Sequence, residues 1–239
     1  MEQTRKKKVF YTELAYCIGI LCSTIGIALM ERSDFGVSMV VAPAYLLHLK
    51  LVQYFSWFTF GTAEYCFQAV LLVLMCLVMR KFRVSYLLSF ATAFLYGFIL
   101  DGCMLLVANL PTTMVCRVIW YVLGALLGPA GVCFMFHTYV SAEVYELLVK
   151  EISHHFGIEI TKFKTWYDRG SCLVGLLMSF AIFGLWQFVG VKWGTILCAV
   201  INGPIIGVIS KFYSRTFAFR DALPWRPFFT GDAPLRDEV

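Results

Sequence analysis

Glu64 stands near the middle of a long apolar run, and Gln68 follows one turn later on the same helical face. An ionisable group at the centre of a membrane-spanning helix costs about 2.5–3.5 kcal/mol on insertion scales, which makes it a functional-site hypothesis by default. Burial in a low dielectric favours the neutral form of a carboxyl, so proton carriage is physically available to Glu64. Two readings stay open for it: a proton carrier or cation partner, and a neutral Glu hydrogen-bonded to another helix. Asp101 lies toward the outer third of the next run and reads as a carboxylate reaching interfacial water. Asp168 and Arg169 read as pairing with other helices or snorkelling. Glu13 and Arg117, near the ends of their runs, read as reaching headgroups.

Two polar clusters open two short segments. Ser33, Asp34, Gly36 and Ser38 precede one; His137, Thr138, Tyr139, Ser141 and Glu143 precede the other. A half-helix N-terminus presents unpaired N–H groups and favours an anionic group. Glu143 falls in a first turn and reads as a helix-start residue, and His137 reads as interfacial. Tyr96 and Asn202 fall near the middles of their runs, either as substrate-site groups or as interhelical hydrogen-bonding groups. The candidate substrate-binding set is therefore Ser38, Glu64, Gln68, Tyr96, Ser141 and Asn202, with Glu64 the proton-coupling candidate. His154, His155 and Glu159 fit no metal spacing, and neither a phosphate-cradling glycine loop nor a Ser/His/Asp set at one depth occurs. No catalytic residue, metal ligand, cofactor or nucleic-acid partner is assigned.

The elements that must position these groups are hydrophobic helices. Of 239 residues 60% are apolar and only 15% charged, and the mean hydropathy is +0.76. Soluble domains are nearer half apolar and a quarter charged. A span needs about 20 mostly apolar residues, and six runs qualify: 9–31, 54–79, 84–107, 115–136, 166–187 and 193–213. Segments 37–49 and 141–153 are too short to cross, and are expected to be re-entrant or interfacial helices with N-caps at Ser33-Asp34 and Ser141. The first run is too long for a signal-peptide core and is expected to stay as the first span.

Basic residues alternate along the chain, at Arg5 to Lys8, Arg80 to Arg83, Lys150 to Arg169, and Lys211 to Arg226. The positive-inside rule then places both termini, the turn at Arg80 and the middle loop in the cytoplasm. The turn around Gln187 to Gly190 carries little charge and is expected outside. Cys17, Cys22, Cys66, Cys76, Cys133, Cys172 and Cys198 sit inside apolar runs, and none of the nine cysteines forms C-x-x-C, so they read as small hydrophobes. Beyond Tyr213 the chain reads as a tail, partly interfacial through Phe217, Phe219, Trp225, Phe228 and Phe229.

The chain also repeats itself. Gly26 to Met30 matches Gly131 to Met135 at a shift of 105 residues. At a shift of 106, Thr59 falls on Thr165, Cys66 on Cys172, Leu71 on Leu177, and Tyr96-Gly97 on Asn202-Gly203. Three spans per copy is an odd number, so the second copy enters the membrane inverted, an architecture common in secondary transporters.

Three stretches carry a resemblance: Asp34 to Ser38; Lys164 to Asp168 with Gly170 and Gly175; and Gly194-Thr195 leading into Asn202-Gly203-Pro204. Together they resemble the YczE/YyaS/YitT-type family of bacterial integral membrane proteins, over about residues 10–212. Members often carry Pro and Asp within the first short helix, where this chain has Met39 to Ala42 and then Pro43. The resemblance implies a fold and a bacterial inner-membrane location, and no substrate.

The expected fold is all-α and membrane-integral, with six transmembrane helices in two inverted 3+3 repeats, each with a short broken or re-entrant helix. Residues 1–8 form a basic N-terminus, 9–107 the first repeat, 108–114 an external linker, 115–213 the second repeat and 214–239 a C-terminal tail. The expected function is a small secondary transporter or exporter moving a small polar or amphipathic solute across the inner membrane, both termini being cytoplasmic. Its partners would be that solute, membrane lipid and a possible second copy of the chain. The rival readings are a membrane scaffold or regulator, and a lipid-modifying enzyme.

Overall fold

The structure is a computed structural model, and it describes residues 8–185, 188–224 and 226. Eight helices run in order among these residues: α1 Thr12–Ser33, α2 Ala42–Leu51, α3 Phe60–Met79, α4 Val84–Val107, α5 Met114–Phe136, α6 Val144–Phe156, α7 Ile160–Phe183 and α8 Trp193–Thr216. Five of them, α1, α3, α4, α5 and α8, are long and apolar enough to cross a membrane. They leave large side chains such as Val73, Leu77, Phe98, Leu106 and Val208 uncovered, as a helix facing hydrocarbon does. The sixth expected span, α7, is long but falls short in apolarity, because its first turns carry Lys162, Lys164, Asp168 and Arg169.

The centre of the fold is the antiparallel crossing of α1 and α5. Gly19 meets Gly131, Gly26 meets Gly124 and Gly128, and Arg117 near the start of α5 reaches Ser33 and Asp34 at the end of α1. A Cβ on Gly26 would lie 2.7 Å from the Gly128 nitrogen, so only glycine lets the backbones touch. Around this pair, α4 packs on α1 and α8 on α5; α3 packs on α4 and α7 on α8. Each short helix packs on one helix from each half of the chain, α2 against α3 and α7, and α6 against α7 and α3.

Both expected short helices form, but each starts later than expected. α2 begins after Val41 and α6 after Glu143, so Ser33-Asp34 and Ser141 are not their N-caps. Asp34 instead ends α1, in the left-handed region at φ 57°, and its carboxylate takes Arg117 and Lys192. The segments 34–41 and 137–143 are extended or turning backbone.

Two short strands were not anticipated. β1 Lys8–Tyr11 pairs in parallel with β2 Phe217–Arg220. Glu13 does not reach outward: it accepts the Tyr139 hydroxyl at 2.8 Å and the backbone N–H groups of Ala222 and Leu223. Phe217 and Phe219 pack on Phe10, so they face protein. Arg5 to Lys7, Gln187, Trp225, Phe228 and Phe229 lie outside the described residues.

Candidate functional site

The start of α6 carries the polar interior. Glu143 is its N-cap residue, yet the carboxylate makes no bond to its own helix. The side chain of Gln68 on α3 does that work. Gln68 Oε1 accepts from the Val144 N–H at 3.0 Å, and Nε2 donates to Glu143 Oε2 at 2.9 Å and more weakly to Glu64 Oε1 at 3.4 Å. Glu64 and Gln68 share one face of α3, as their spacing requires, and both are completely buried.

One turn further on, Glu146 meets Lys164 of α7 at 3.4 Å, and Lys164 meets Asp168 at the same distance. All three are buried, so Lys164 does not belong to an exposed basic loop and Asp168 does not snorkel. Asn202 on α8 approaches the Asp168 carboxylate, and Tyr96 on α4 approaches Ser23 on α1. Tyr145 stands beside Glu64, and neither its hydroxyl nor Glu64 Oε2 has a well-formed hydrogen bond.

These groups border a cavity of about 60 Å³. Ser38, Tyr96, Glu143, Tyr145, Lys164 and Asn202 line its polar side, and Ile27, Met30, Val132 and Ile206 its apolar side. Pro129 also lines it. It has no N–H for the carbonyl of Ala125, which borders the same space. Three of the six anticipated residues, Ser38, Tyr96 and Asn202, therefore meet at the cavity. Glu64 and Gln68 stand behind Glu143, and Ser141 contributes structure instead, its carbonyl accepting the Thr92 hydroxyl at 2.8 Å.

The segment 36–41 separates this cavity from a second, larger cleft of about 520 Å³. Gly36 and Val37 border the cleft with Glu31, Asp34 and Lys192, whereas Ser38, Val40 and Val41 border the cavity. The dividing backbone is pinned to the second half of the chain. The Thr195 hydroxyl donates to the Val37 carbonyl at 2.8 Å, and the Ser171 hydroxyl to the Met39 carbonyl at 2.9 Å. Gly36 must be glycine, since its φ is +113° and a Cβ would strike the Thr195 hydroxyl.

A model for a family of unknown function, DUF6198, matches residues 10–211. The chain belongs to that family. No curated protein and no solved structure matches it. Both extended segments, the whole buried cluster and the α1–α5 crossing fall within the DUF6198 match.

Sequence reasoning missed Tyr145, Glu146 and the inward position of Lys164. A signal was present: Glu143 and Glu146 are spaced i,i+3 and Lys164 and Asp168 i,i+4, so each pair shares a helix face. Asp101 was also misread. It accepts from the Thr59 hydroxyl at 2.6 Å and the Gly61 N–H at 2.7 Å, and so satisfies the start of α3. Among the described residues, no three His, Cys, Asp or Glu side chains converge to hold a metal ion.

Proposed function

We propose that this chain is a small secondary transporter with six spans in two inverted repeats, moving a small polar or amphipathic solute across the bacterial inner membrane by alternating access. The observation that carries the reading is the cavity bordered by both extended segments, through Ser38 and Glu143, with Glu146 of α6, Lys164 of α7 and Asn202 of α8 in its wall. Irregular backbone at membrane depth is tolerated where it is buried in protein or lines a cavity, and transporters place their sites at such breaks.

The β1–β2 pairing supports six spans. It brings both ends of the helical body to one side, which an odd number of crossings cannot do. The five apolar helices need one more, and α7 has the length, 24 residues or about 36 Å. Two of its charges, Lys164 and Asp168, are buried in protein and not offered to lipid.

The contacts support the repeat. Exchanging α1 with α5, α2 with α6, α3 with α7 and α4 with α8 turns the α1–α4 contact into α5–α8, and α2–α7 into α6–α3. At a shift of 105, Gly19 corresponds to Gly124 and Gly26 to Gly131, so the Gly19–Gly131 contact maps onto Gly124–Gly26. A two-fold axis through the crossing generates such reciprocal pairs. The resemblance to the YczE/YyaS/YitT-type family points to the same membrane.

Each extended segment is held by helices of the opposite half, segment 34–41 by α7 and α8, and segment 137–143 by α3 and α4. Release of one set and then the other would expose the cavity to each side in turn. Proteoliposomes carrying the purified chain should show solute-driven proton movement that Glu64→Gln abolishes; no movement with a broad solute panel would reject transport. Single cysteines at Phe82 and Ile160, in a Cys-free background, should be labelled only from the cytoplasmic side. External labelling at either would reject the six-span topology.

A further inference from the structure

The buried cluster is out of charge balance. Glu64, Glu143, Glu146 and Asp168 bring four carboxyl groups, and Lys164 one ammonium. Lys164 is committed to Glu146 and Asp168. Glu64 and Glu143 share only the neutral amide of Gln68. An amide donor cannot neutralise two carboxylates held close together in a low dielectric, so this pair must hold protons or a cation. The site also contains unsatisfied groups that point to a ligand. Tyr145 lines the cavity and is 2% exposed; its hydroxyl and Glu64 Oε2 face each other, and neither has a well-formed hydrogen bond. Buried polar groups left in this state are uncommon and call for a partner.

We propose that the cavity binds a small protonated alkylamine, and that its arrival displaces one proton from the Glu64–Glu143 pair. The proposal deepens the transporter reading and rests on it for the role of the amine as cargo.

An anion fits poorly, although a helix start borders the cavity. The Val144 N–H is already taken by Gln68, and Glu143 places a carboxyl group at that helix end. A metal ion fits poorly as well, since one wall is apolar, made by Ile27, Met30, Val132 and Ile206. That wall suits an alkyl group, while Glu143, the Tyr145 hydroxyl and the carbonyl freed by Pro129 suit ammonium hydrogens. Tyr96 and Tyr145 also put aromatic residues in the lining, and aromatic rings attract a cation. A volume of about 60 Å³ holds only a few waters, which limits the occupant to a short amine.

The exchange balances. The ammonium brings one positive charge and keeps its N–H bonds. One carboxyl O–H of the pair breaks, its proton passes to water, and the resulting carboxylate faces the ammonium. The net charge of the site is unchanged. The other groups that face Glu143 are Tyr16 of α1, Tyr96 of α4, Tyr145 and Glu146 of α6, and Lys164 of α7. Amine and proton compete, so affinity should rise about tenfold per pH unit while the pair is protonated.

The test is calorimetry on the full chain in detergent, with ethylammonium as probe and sodium and acetate as comparisons, in two buffers of different ionisation enthalpy. Ethylammonium should bind with release of about one proton, and Glu143→Gln should weaken it about tenfold or more. If Glu143→Gln does not fold, Tyr145→Phe keeps the charges and should still weaken binding several-fold. Binding without proton release, equal binding of sodium, preferred binding of acetate, or wild-type affinity in a folded Glu143→Gln variant would each overturn the proposal. Flux in proteoliposomes separates it from the transporter reading. Ethylammonium that binds and releases a proton, with no flux of it or of any solute in the panel, leaves the amine site standing and rejects transport. Flux of another solute with no ethylammonium binding rejects the amine site and leaves transport standing.

Discussion

Gln68 and Glu143 are 75 positions apart, and a 2.9 Å hydrogen bond from Gln68 Nε2 to Glu143 Oε2 joins them. The other end of the same amide accepts the Val144 N–H. One side chain on α3 therefore both starts α6 and orients a buried carboxyl group. Its two ends cannot be exchanged, because the carboxylates need the NH₂ and the backbone N–H needs the oxygen.

Removing that amide leaves a buried N–H and a buried carboxyl group without their partner. Each unsatisfied group costs about 1–3 kcal/mol. Gln68→Leu, which keeps most of the volume, is expected to lower the apparent melting temperature in detergent clearly. A melting temperature equal to wild type would show that α6 does not depend on this bond.

Two glycine substitutions should move stability in opposite directions. Gly26→Ala pushes a methyl group against Gly128 and Gly124, and overpacking of this kind costs about 1–3 kcal/mol. Gly102 on α4 is exposed, and a Cβ there meets nothing within 4 Å. Gly102→Ala should therefore gain about 0.5–1 kcal/mol from the helix interior. Thermal unfolding of the two variants side by side checks the pair, and equal effects would contradict the close crossing.

Thr195→Val keeps the shape of the side chain and removes the donor to the Val37 carbonyl. The wall between the larger cleft and the cavity should then open more often. Cys198 borders the cavity and is buried, so it reports on that opening. In a chain retaining only Cys198, alkylation by a membrane-impermeant thiol reagent should be several-fold faster with Thr195→Val. An unchanged rate would mean that this bond does not hold the wall.

The strand pair carries an acid-sensitive tie. Arg226 bonds Asp221 and holds its carboxyl below the ordinary 3.8, and the Thr12 hydroxyl at 2.9 Å adds to this. A depressed carboxyl contributes stability above its unfolded value and loses it as pH falls through its folded value. The contribution is thus complete at neutral pH and fades below 3.8. Hydrogen exchange at residues 217–223 should accelerate in that acid range, and Arg226→Ala should bring the acceleration to higher pH. Exchange that ignores both acid and the substitution would exclude the tie.

Residue patterns alone disclosed the membrane class, the places of the long helices, the two short helices and the shared face of Glu64 and Gln68. These are local properties. Run length, apolarity and a period of 3.6 residues depend on neighbours in the chain. The helix starts were displaced, with α2 opening after Val41 and α6 after Glu143. The first N–H of α6 is served from a distant helix, by Gln68, while that of α2, on Ala42, is served by the Ser38 backbone carbonyl at 3.0 Å and not by a capping side chain.

Only the tertiary structure decided which polar groups meet. Asp101 became a cap for α3, Glu13 a tie to the segment after β2, and Lys164 the partner of Glu146 and Asp168. In sequence these read as an interfacial carboxylate, a headgroup contact and a loop lysine. A buried charge is stabilised by whatever the fold brings within hydrogen-bond reach, and those partners lie up to 210 positions away. The pairing of β1 with β2 has the same origin, since its register is set across the ends of a helical body and not within either strand.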